Sequence, residues 1–298
     1  MKIWVSGIPG GWSSEKMVTA LKRNRVDCRL FSLSDCTFDF NSGAVTCQGY
    51  DLAQLDAIVV RKMGDPADPL TPFRVNLLHH LAAKGVRIFS PPKFIEDVND
   101  RYRMTRLLCR SGIAMPETIV TESLETAYET VDRWGKTVLK PVFTSKGRNM
   151  LLLDREGPYR LHLKHWHDTG LSPFYLQRYI PTTYDIGVAV MGKQILGSFR
   201  RIASAESWQT TIRTGGHYES FNPDSKIVEI VDKITGFMEF DYTVIDFVPD
   251  GDDYLVYEVS AFGGFSGLWK CGIDAPSIFA KYVLTGIGVP PRKSARVR

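Results

Sequence analysis

Near the end of this 298-residue chain, two short apolar runs, Tyr242-Thr-Val-Ile-Asp-Phe247 and Tyr254-Leu-Val-Tyr-Glu-Val-Ser260, flank the segment Asp250-Gly-Asp-Asp253. β-Branched and aromatic residues at this density read as strands, and the Asp-Gly step between them reads as a hairpin turn. Each run carries one carboxylate at an otherwise apolar position. Pairing across the turn brings Asp246 and Glu258 together on one face, where two carboxylates repel unless a cation sits between them. Oxygen ligands with room for waters and phosphates describe a Mg²⁺ site, with Mn²⁺ as its substitute. The competing reading of the hairpin alone is two carboxylates on a solvated sheet face.

What surrounds the hairpin is consistent with an ordinary globular chain: 44% hydrophobic, 23% charged and 11% aromatic residues. The formal charge of +4 invites a polyanion partner. Arg292, Lys293, Arg296 and Arg298 account for it, so the body is neutral and the tail reads as a solvated end. Nucleic acid and membrane are therefore not expected as partners. Five widely spaced cysteines without a C-x-x-C pair fit reduced thiols. The opening strand Met1-Lys-Ile-Trp-Val-Ser6 is too short for a signal segment, and a cytoplasmic protein is the expectation.

Strand and helix signals alternate over the first ninety residues: strands at 2–6, 26–31, 56–61 and 86–89, with helices near 13–24 and 71–84. That alternation predicts a small parallel α/β domain, ended by Ser90-Pro-Pro92. A helix near 100–111, a strand near 117–121 and a helix over 123–134 capped by Ser123 follow. From Lys136 the pattern changes to strands joined by short turns, at 137–141, 150–153, 173–180, 185–190 and 195–199, and a helix near 223–238 leads into the acidic hairpin.

Lys140 ends one of these strands and is followed by Phe143-Thr-Ser-Lys-Gly-Arg-Asn149. Such a loop can offer backbone N–H groups to phosphate, with hydroxyls from Thr144 and Ser145 and a point charge from Lys140, or it is a plain hairpin turn. The Walker spacing is absent. Leu176-Gln-Arg-Tyr-Ile180, broken by Pro181, reads as a hinge with exposed backbone, and Asp185 beyond it as either a ribose acceptor or a surface carboxylate. His162, His165 and His167 look like a metal cluster but lack acidic or cysteine partners, and a solvated helix face explains them better. Gly7-Ile-Pro-Gly-Gly-Trp12 follows the first strand without dinucleotide-loop spacing. It reads as a substrate-side loop or as turn chemistry.

Taken in order, Asp100-Arg101, Val138-Leu-Lys-Pro141, the 143–149 loop, Gln177-Arg-Tyr-Ile180, Asp185, Asp246 and Glu258-Val-Ser260 resemble an ATP-grasp ligase of the RimK type, which adds glutamate to a carboxylate acceptor. The resemblance covers nearly the whole chain. It implies a mixed α/β (α+β) ATP-grasp fold divided into a pre-ATP-grasp domain at 1–92, a central and lid subdomain at 93–180, and a C-terminal subdomain at 181–298 with the metal site and basic tail. It further implies that Arg101 and Lys140 contact ATP and that Thr144, Ser145 and Gly147 close over the triphosphate. Gln177, Arg178, Tyr179 and Ile180 would hold adenine, and Asp185 the ribose. Asp246, Glu258 and Ser260 would take the Mg²⁺ positions, and Arg200 would neutralise the transferring phosphate. The expected reaction joins a carboxylate to an amino acid through an acyl phosphate, with release of ADP and phosphate. Its partners would be a small-molecule or peptide carboxylate and an amino acid, in a protein that forms homo-oligomers in much of the family. A phosphotransferase that stops at phosphorylation and a non-catalytic nucleotide-binding regulator are the alternatives.

The chain also departs from the family pattern. Asp100-Arg101 replaces Asp-Lys, Thr144 and Asn149 stand where glycines are common, and Ser260 stands where the family has asparagine. The Arg-Ser-Asn triplet is replaced by Gln209-Thr-Thr211 with Arg213 nearby, so the acceptor is not expected to be the familiar one. Phe262, Phe265 and Trp269 beside the proposed site point to a ring-bearing acceptor, of pterin or furan type, or to core packing.

Overall fold

In the computed structural model, which describes residues 1–288 apart from 66, 145 and 146, the chain opens as the alternating pattern predicts. The strands β1 (Ile3–Ser6), β2 (Leu30–Phe31), β6 (Ala57–Val60) and β7 (Arg87–Phe89) form a parallel sheet in the order β2-β1-β6-β7. Ile3, Val5 and Ala57 to Val60 are buried almost completely, as expected of strands covered on both faces. The helices α1 (Trp12–Arg23) and α2 (Thr71–Ala83) make the crossovers.

A small antiparallel sheet of β3 (Cys36–Asp39), β4 (Ala44–Cys47) and β5 (Tyr50–Asp51) interrupts that pattern and is absent from the sequence reading. Its last turn is the two-residue pair Gln48-Gly49, at φ of +52° and +76°, which matches the twist of a hairpin without the usual Asn-Gly signature. Pro92, read as part of a break, instead occupies the first position of α3 (Pro92–Asn99), where its missing N–H costs nothing.

The helix α4 (Arg101–Arg110) is capped by Asp100, which accepts from the Arg103 N–H. The next sheet runs β10-β9-β11-β8, from β8 (Thr118–Thr121), β9 (Lys136–Lys140), β10 (Leu151–Asp154) and β11 (Phe174–Arg178). It is covered by α5 (Leu124–Trp134), capped by Ser123 as expected, and by α6 (Tyr159–Asp168). Ala127, Val131, Leu139, Leu153, Leu163, Trp166 and Phe174 are part of a core that takes no residue from the other sheets. His162 and His165 lie on the exposed face of α6, opposite Tyr159, Leu163 and Trp166.

A five-stranded antiparallel sheet follows, ordered β14-β13-β12-β15-β16, from β12 (Tyr184–Met191), β13 (Gln194–Ile202), β14 (His217–Phe221), β15 (Tyr242–Asp250) and β16 (Asp253–Val259). The helix α7 (Ser225–Phe237) precedes β15, and α8 (Ser266–Lys270) and α9 (Ala275–Gly286) end the described chain. Front-sheet residues Ile3 and Val5 share one cluster with Tyr242, Phe265 and Phe279, so the first and last sheets are packed into common cores. Among the described residues no helix is long and apolar enough to cross a membrane.

Candidate active site

Strand pairing decides which side chains meet. Asp185 on β12 stands opposite Arg201 on β13, Gly187 opposite both Phe199 and Asp246, and Asp246 on β15 opposite Glu258 on β16. Directly paired residues share a face, so Asp185, Arg201, Asp246 and Glu258 form one charged surface. This is the pairing of Asp246 with Glu258 that the hairpin foretold.

The charges are densely connected. Arg201 donates from Nε to Asp185 Oδ1 at 2.6 Å and from Nη2 to Asp185 Oδ2 at 2.9 Å, and Thr210 donates to the same Oδ2 at 2.7 Å. Nη2 of Arg201 also lies 2.9 Å from Asp246 Oδ1, but off the line of a hydrogen bond, so that buried oxygen has a positive charge beside it and no donor aimed at it. Burial pushes the Asp246 carboxyl up to about 7; Arg201 works against this, and Asp185 and Glu258 add to it. The Arg201 guanidinium is held well above its ordinary value: burial opposes its charge, and Asp246 and Asp185 outweigh that cost.

Across the cavity, Lys140 at the end of β9 is buried, donates to Gln177 Oε1 on β11, and sits 4.9 Å from the Tyr257 ring centre. Burial, with Arg101 adding its repulsion and Glu258 opposing, brings the Lys140 amine down to about 7. Arg101, in the first turn of α4, donates to Glu258 Oε2 at 3.0 Å and to the Pro141 carbonyl. These groups line a cavity of about 390 Å³ between the β10-β9-β11-β8 sheet and the five-stranded sheet, with Ser13 and Arg61 of the front lobe also in its lining.

Thr144, Gly147, Gln177, Arg178, Tyr179, Ile180 and Ser260 line the same cavity. The Arg178 N–H is spent on the Glu117 carbonyl and that of Tyr179 on Lys136, which leaves Ile180 as the one backbone donor of the three without a partner among the described residues. Trp208, which sequence reading missed, stands edge-on to Tyr179 at 6.3 Å. Gly147 has φ of +64°, and a Cβ there would lie 3.0 Å from Thr211 Cγ2, so the 143–149 loop abuts the 209–211 loop. Ser145 lies outside the described residues.

Two expected residues are not in the cavity. Arg200 is one position out of phase with Asp185: it pairs with Ile186 and lies against the rings of Tyr184 and Phe221, on the opposite face of the sheet. The arginine on the cleft face is Arg201, because neighbouring strand residues point to opposite sides. Arg213 is exposed on a short turn at Ile212–Thr214 and does not line the cavity.

Among the described residues no three His, Cys, Asp or Glu side chains gather as a metal cluster. A hard cation nevertheless fits the pair Asp246 and Glu258. Both offer only oxygen, Asp246 keeps a buried oxygen without a donor, and the Ser260 hydroxyl is two residues along from Glu258.

The RimK-like ATP-grasp domain model matches residues 98–283. The chain is 30% identical over 232 residues, 70% of its length and 69% of the relative's, to the tetrahydromethanopterin:alpha-L-glutamate ligase of Methanosarcina acetivorans. It is 24% identical, over 91% of its own length and 93% of the relative's, to the enzyme of the same name from Methanocaldococcus jannaschii. In fold it is similar to the RimK domain ATP-grasp protein of Sphaerobacter thermophilus, with a TM-score of 0.74 at 17% identity over 95% and 99% of the two chains. It is also similar to the ATP-grasp ligase PsnB solved with a phosphomimetic precursor variant, Mg and ADP, with a TM-score of 0.73 at 16% identity over 96% and 98% of the two chains. With the matched region reaching from Val98 through Arg101, Lys140 and Asp185 to the acidic hairpin, the chain belongs to the RimK-like ATP-grasp family.

Proposed function

We propose that the protein is an ATP-dependent carboxylate–amine ligase that joins an amino acid, glutamate in the first instance, to a carboxylate acceptor. One observation carries this reading: Asp185, Arg201, Asp246 and Glu258 share one sheet face, opposite Lys140 and Arg101, in a single cavity. Phosphoryl transfer needs little covalent protein chemistry and runs on positioning and charge neutralisation, which this set of cations and carboxylates supplies.

In this reading Lys140 and Arg101 hold the triphosphate, the Ile180 N–H and the neighbouring carbonyls meet the adenine edge, and Gln177 fixes the Lys140 amine. Asp185 takes the ribose hydroxyls while remaining paired with Arg201. Asp246, Glu258 and Ser260 hold Mg²⁺, which when bound offsets negative charge on the phosphates. Arg201 replaces Arg200 as the arginine facing the transferring phosphate. The acceptor oxygen attacks the γ-phosphorus and ADP leaves; the amine then displaces phosphate from the acyl phosphate to form the amide. The loops at 143–149 and 209–211 keep water from that acyl phosphate. The domain limits we propose are those of the family: a front domain to residue 92, a central lid to 180, and a C-terminal subdomain beyond.

The acceptor's class is suggested by relatives whose names pair glutamate with tetrahydromethanopterin, coenzyme γ-F420-2 and LysW. The test is ADP release from Mg²⁺-ATP with a panel of amino acids and carboxylates, with the product weighed by mass spectrometry. Amine-dependent ADP release with an amide mass supports the ligase; ADP release without an amine requirement makes the protein a kinase.

A further inference from the structure

The strand β6 is apolar throughout, and the residue that follows it, Arg61, stands at the carboxyl edge of the front sheet, where open parallel sheets place ligands. Arg61 is 2% exposed and lines the cavity at its front-lobe end together with Ser13. Both of its side-chain hydrogen bonds among the described residues leave from Nη2, to the Gly263 carbonyl at 2.5 Å and to Ser13 Oγ at 2.9 Å. Its Nε is buried and has no partner among the described residues. The guanidinium lies 3.8 Å from the centre of the Phe265 ring and 5.5 Å from that of Tyr242. No carboxylate forms an ion pair with it among the described residues, whereas Arg74 and Arg101 each have one and Arg201 has two.

A guanidinium taken out of water without a counter-ion carries a large desolvation cost, and ring faces offset only part of it. Core packing does not explain the choice of arginine here, since an apolar side chain would stack on Phe265 without that cost. The missing partner is an anion admitted through the cavity. Lys140, Arg101 and Arg201 already serve the phosphate side. Arg61 instead faces the Gly263–Phe265 loop, a few residues beyond Ser260, where a substrate must lie to reach the phosphate. A planar fork with unused donors suits a carboxylate.

We propose that Arg61, with Ser13, holds a substrate carboxylate that does not react, fixing the substrate at the front-lobe end of the cavity. The proposal rests on the ligase reading above and names two sources: the α-carboxylate of the amino acid or a carboxylate of the acid substrate. Two probes separate them, L-glutamate and N-acetyl-L-glutamate, whose blocked amine leaves it only the acid role.

The measurement is calorimetric binding of each probe to the full chain saturated with Mg²⁺-ADP, for the wild type and for Arg61→Met. The expected result is a loss of about 10- to 100-fold in affinity for one probe, the scale of a lost charged hydrogen bond, with ADP affinity within about twofold of wild type. Loss for L-glutamate alone assigns the amine substrate; loss for the acetylated probe alone, or for both, assigns the acid substrate or a shared anchor. Equal affinity in a folded Arg61→Met, or no binding of either probe by the wild type, overturns the proposal. If Arg61→Met does not fold, Arg61→Lys, which keeps the charge and loses the fork, is read by the same criterion, and Ser13→Ala is expected to weaken the same probe several-fold. Amide formation that survives Arg61→Met with unchanged KM values sinks this inference and leaves the ligase standing. A carboxylate affinity lost in Arg61→Met, without amide formation by the wild type, does the reverse.

Discussion

Glu258 lies opposite Asp246, accepts from Arg101, and has a third of its side chain exposed to the cavity. Replacing it by glutamine keeps the volume and removes the charge that a divalent cation and Arg101 both require. Glu258→Gln is expected to lower kcat for ADP release by about a thousandfold or more in a protein that still folds, with a lowered melting temperature because the buried Arg101 loses its carboxylate; full activity would remove Glu258 from the metal assignment. Lys140 and Asp246 predict opposite proton linkages. Between about 7 and 10.5 the unfolded chain holds a proton on Lys140 that the folded chain lacks, so this group makes stability rise with pH through that window. Between 3.8 and about 7 the folded chain holds the extra proton on Asp246, and stability falls as pH rises. Metal-free ADP placed against Lys140 restores its charge, so binding at about pH 8 is expected to take up a proton. Calorimetry in buffers of differing ionisation enthalpy measures this uptake, and Lys140→Met is expected to abolish it.

At the scale of the element, the hairpin of β15 and β16 was legible because its register follows from a short turn and from one carboxylate per strand. The parallel strands of the front sheet were legible for the same kind of reason, as apolar runs bounded by turns. The β3-β4-β5 meander was not, since its strands are two to four residues long and its last turn is Gln48-Gly49. Arg61 was not, because its partners Ser13 and Gly263 are 48 and 202 residues away in sequence. The exchange of Arg200 for Arg201 is a phase error on a strand of period two: the Arg-Arg pair is visible in the sequence, and only pairing with Asp185 shows which member faces the cleft. Two variants check that phase. Arg201→Met is expected to cost more than about a hundredfold in kcat/KM, since it strips the cation from Asp185 and Asp246. Arg200→Met, on the far face between Tyr184 and Phe221, is expected to stay within about fivefold in kcat/KM and to alter only the melting temperature. Equal losses from the two would mean that the charged face works through strand rigidity and not through Arg201.

On the scale of the whole molecule, the front parallel sheet and the five-stranded sheet share cores, whereas the sheet that carries Lys140 and Gln177 is built around its own. The cavity therefore has one wall on a unit whose packing is separable from the rest. We propose that this unit opens and closes as a body, its interior contacts staying intact while its boundary contacts exchange. Among the described residues those boundary contacts include Arg101 to the Pro141 carbonyl, Thr105 to the Tyr175 hydroxyl at 2.7 Å, Arg148 to Asp65 at 2.9 Å, the edge of Tyr179 on Trp208, and the approach of Gly147 to the Thr211 methyl. Leu163 is fully buried in the separate core. Its replacement by alanine removes apolar contact and leaves a cavity, a cost of about 2–5 kcal/mol, and that loss falls on the lid unit alone. Leu163→Ala is expected to raise amide hydrogen exchange across 118–178 while β1, β6 and β15 keep their protection, and to weaken ADP binding although no residue at the nucleotide has changed. Exchange rising equally in this sheet, the front sheet and the five-stranded sheet would show that the lid core and the shared cores unfold together, and closure would then have to arise within the loops at 143–149 and 209–211.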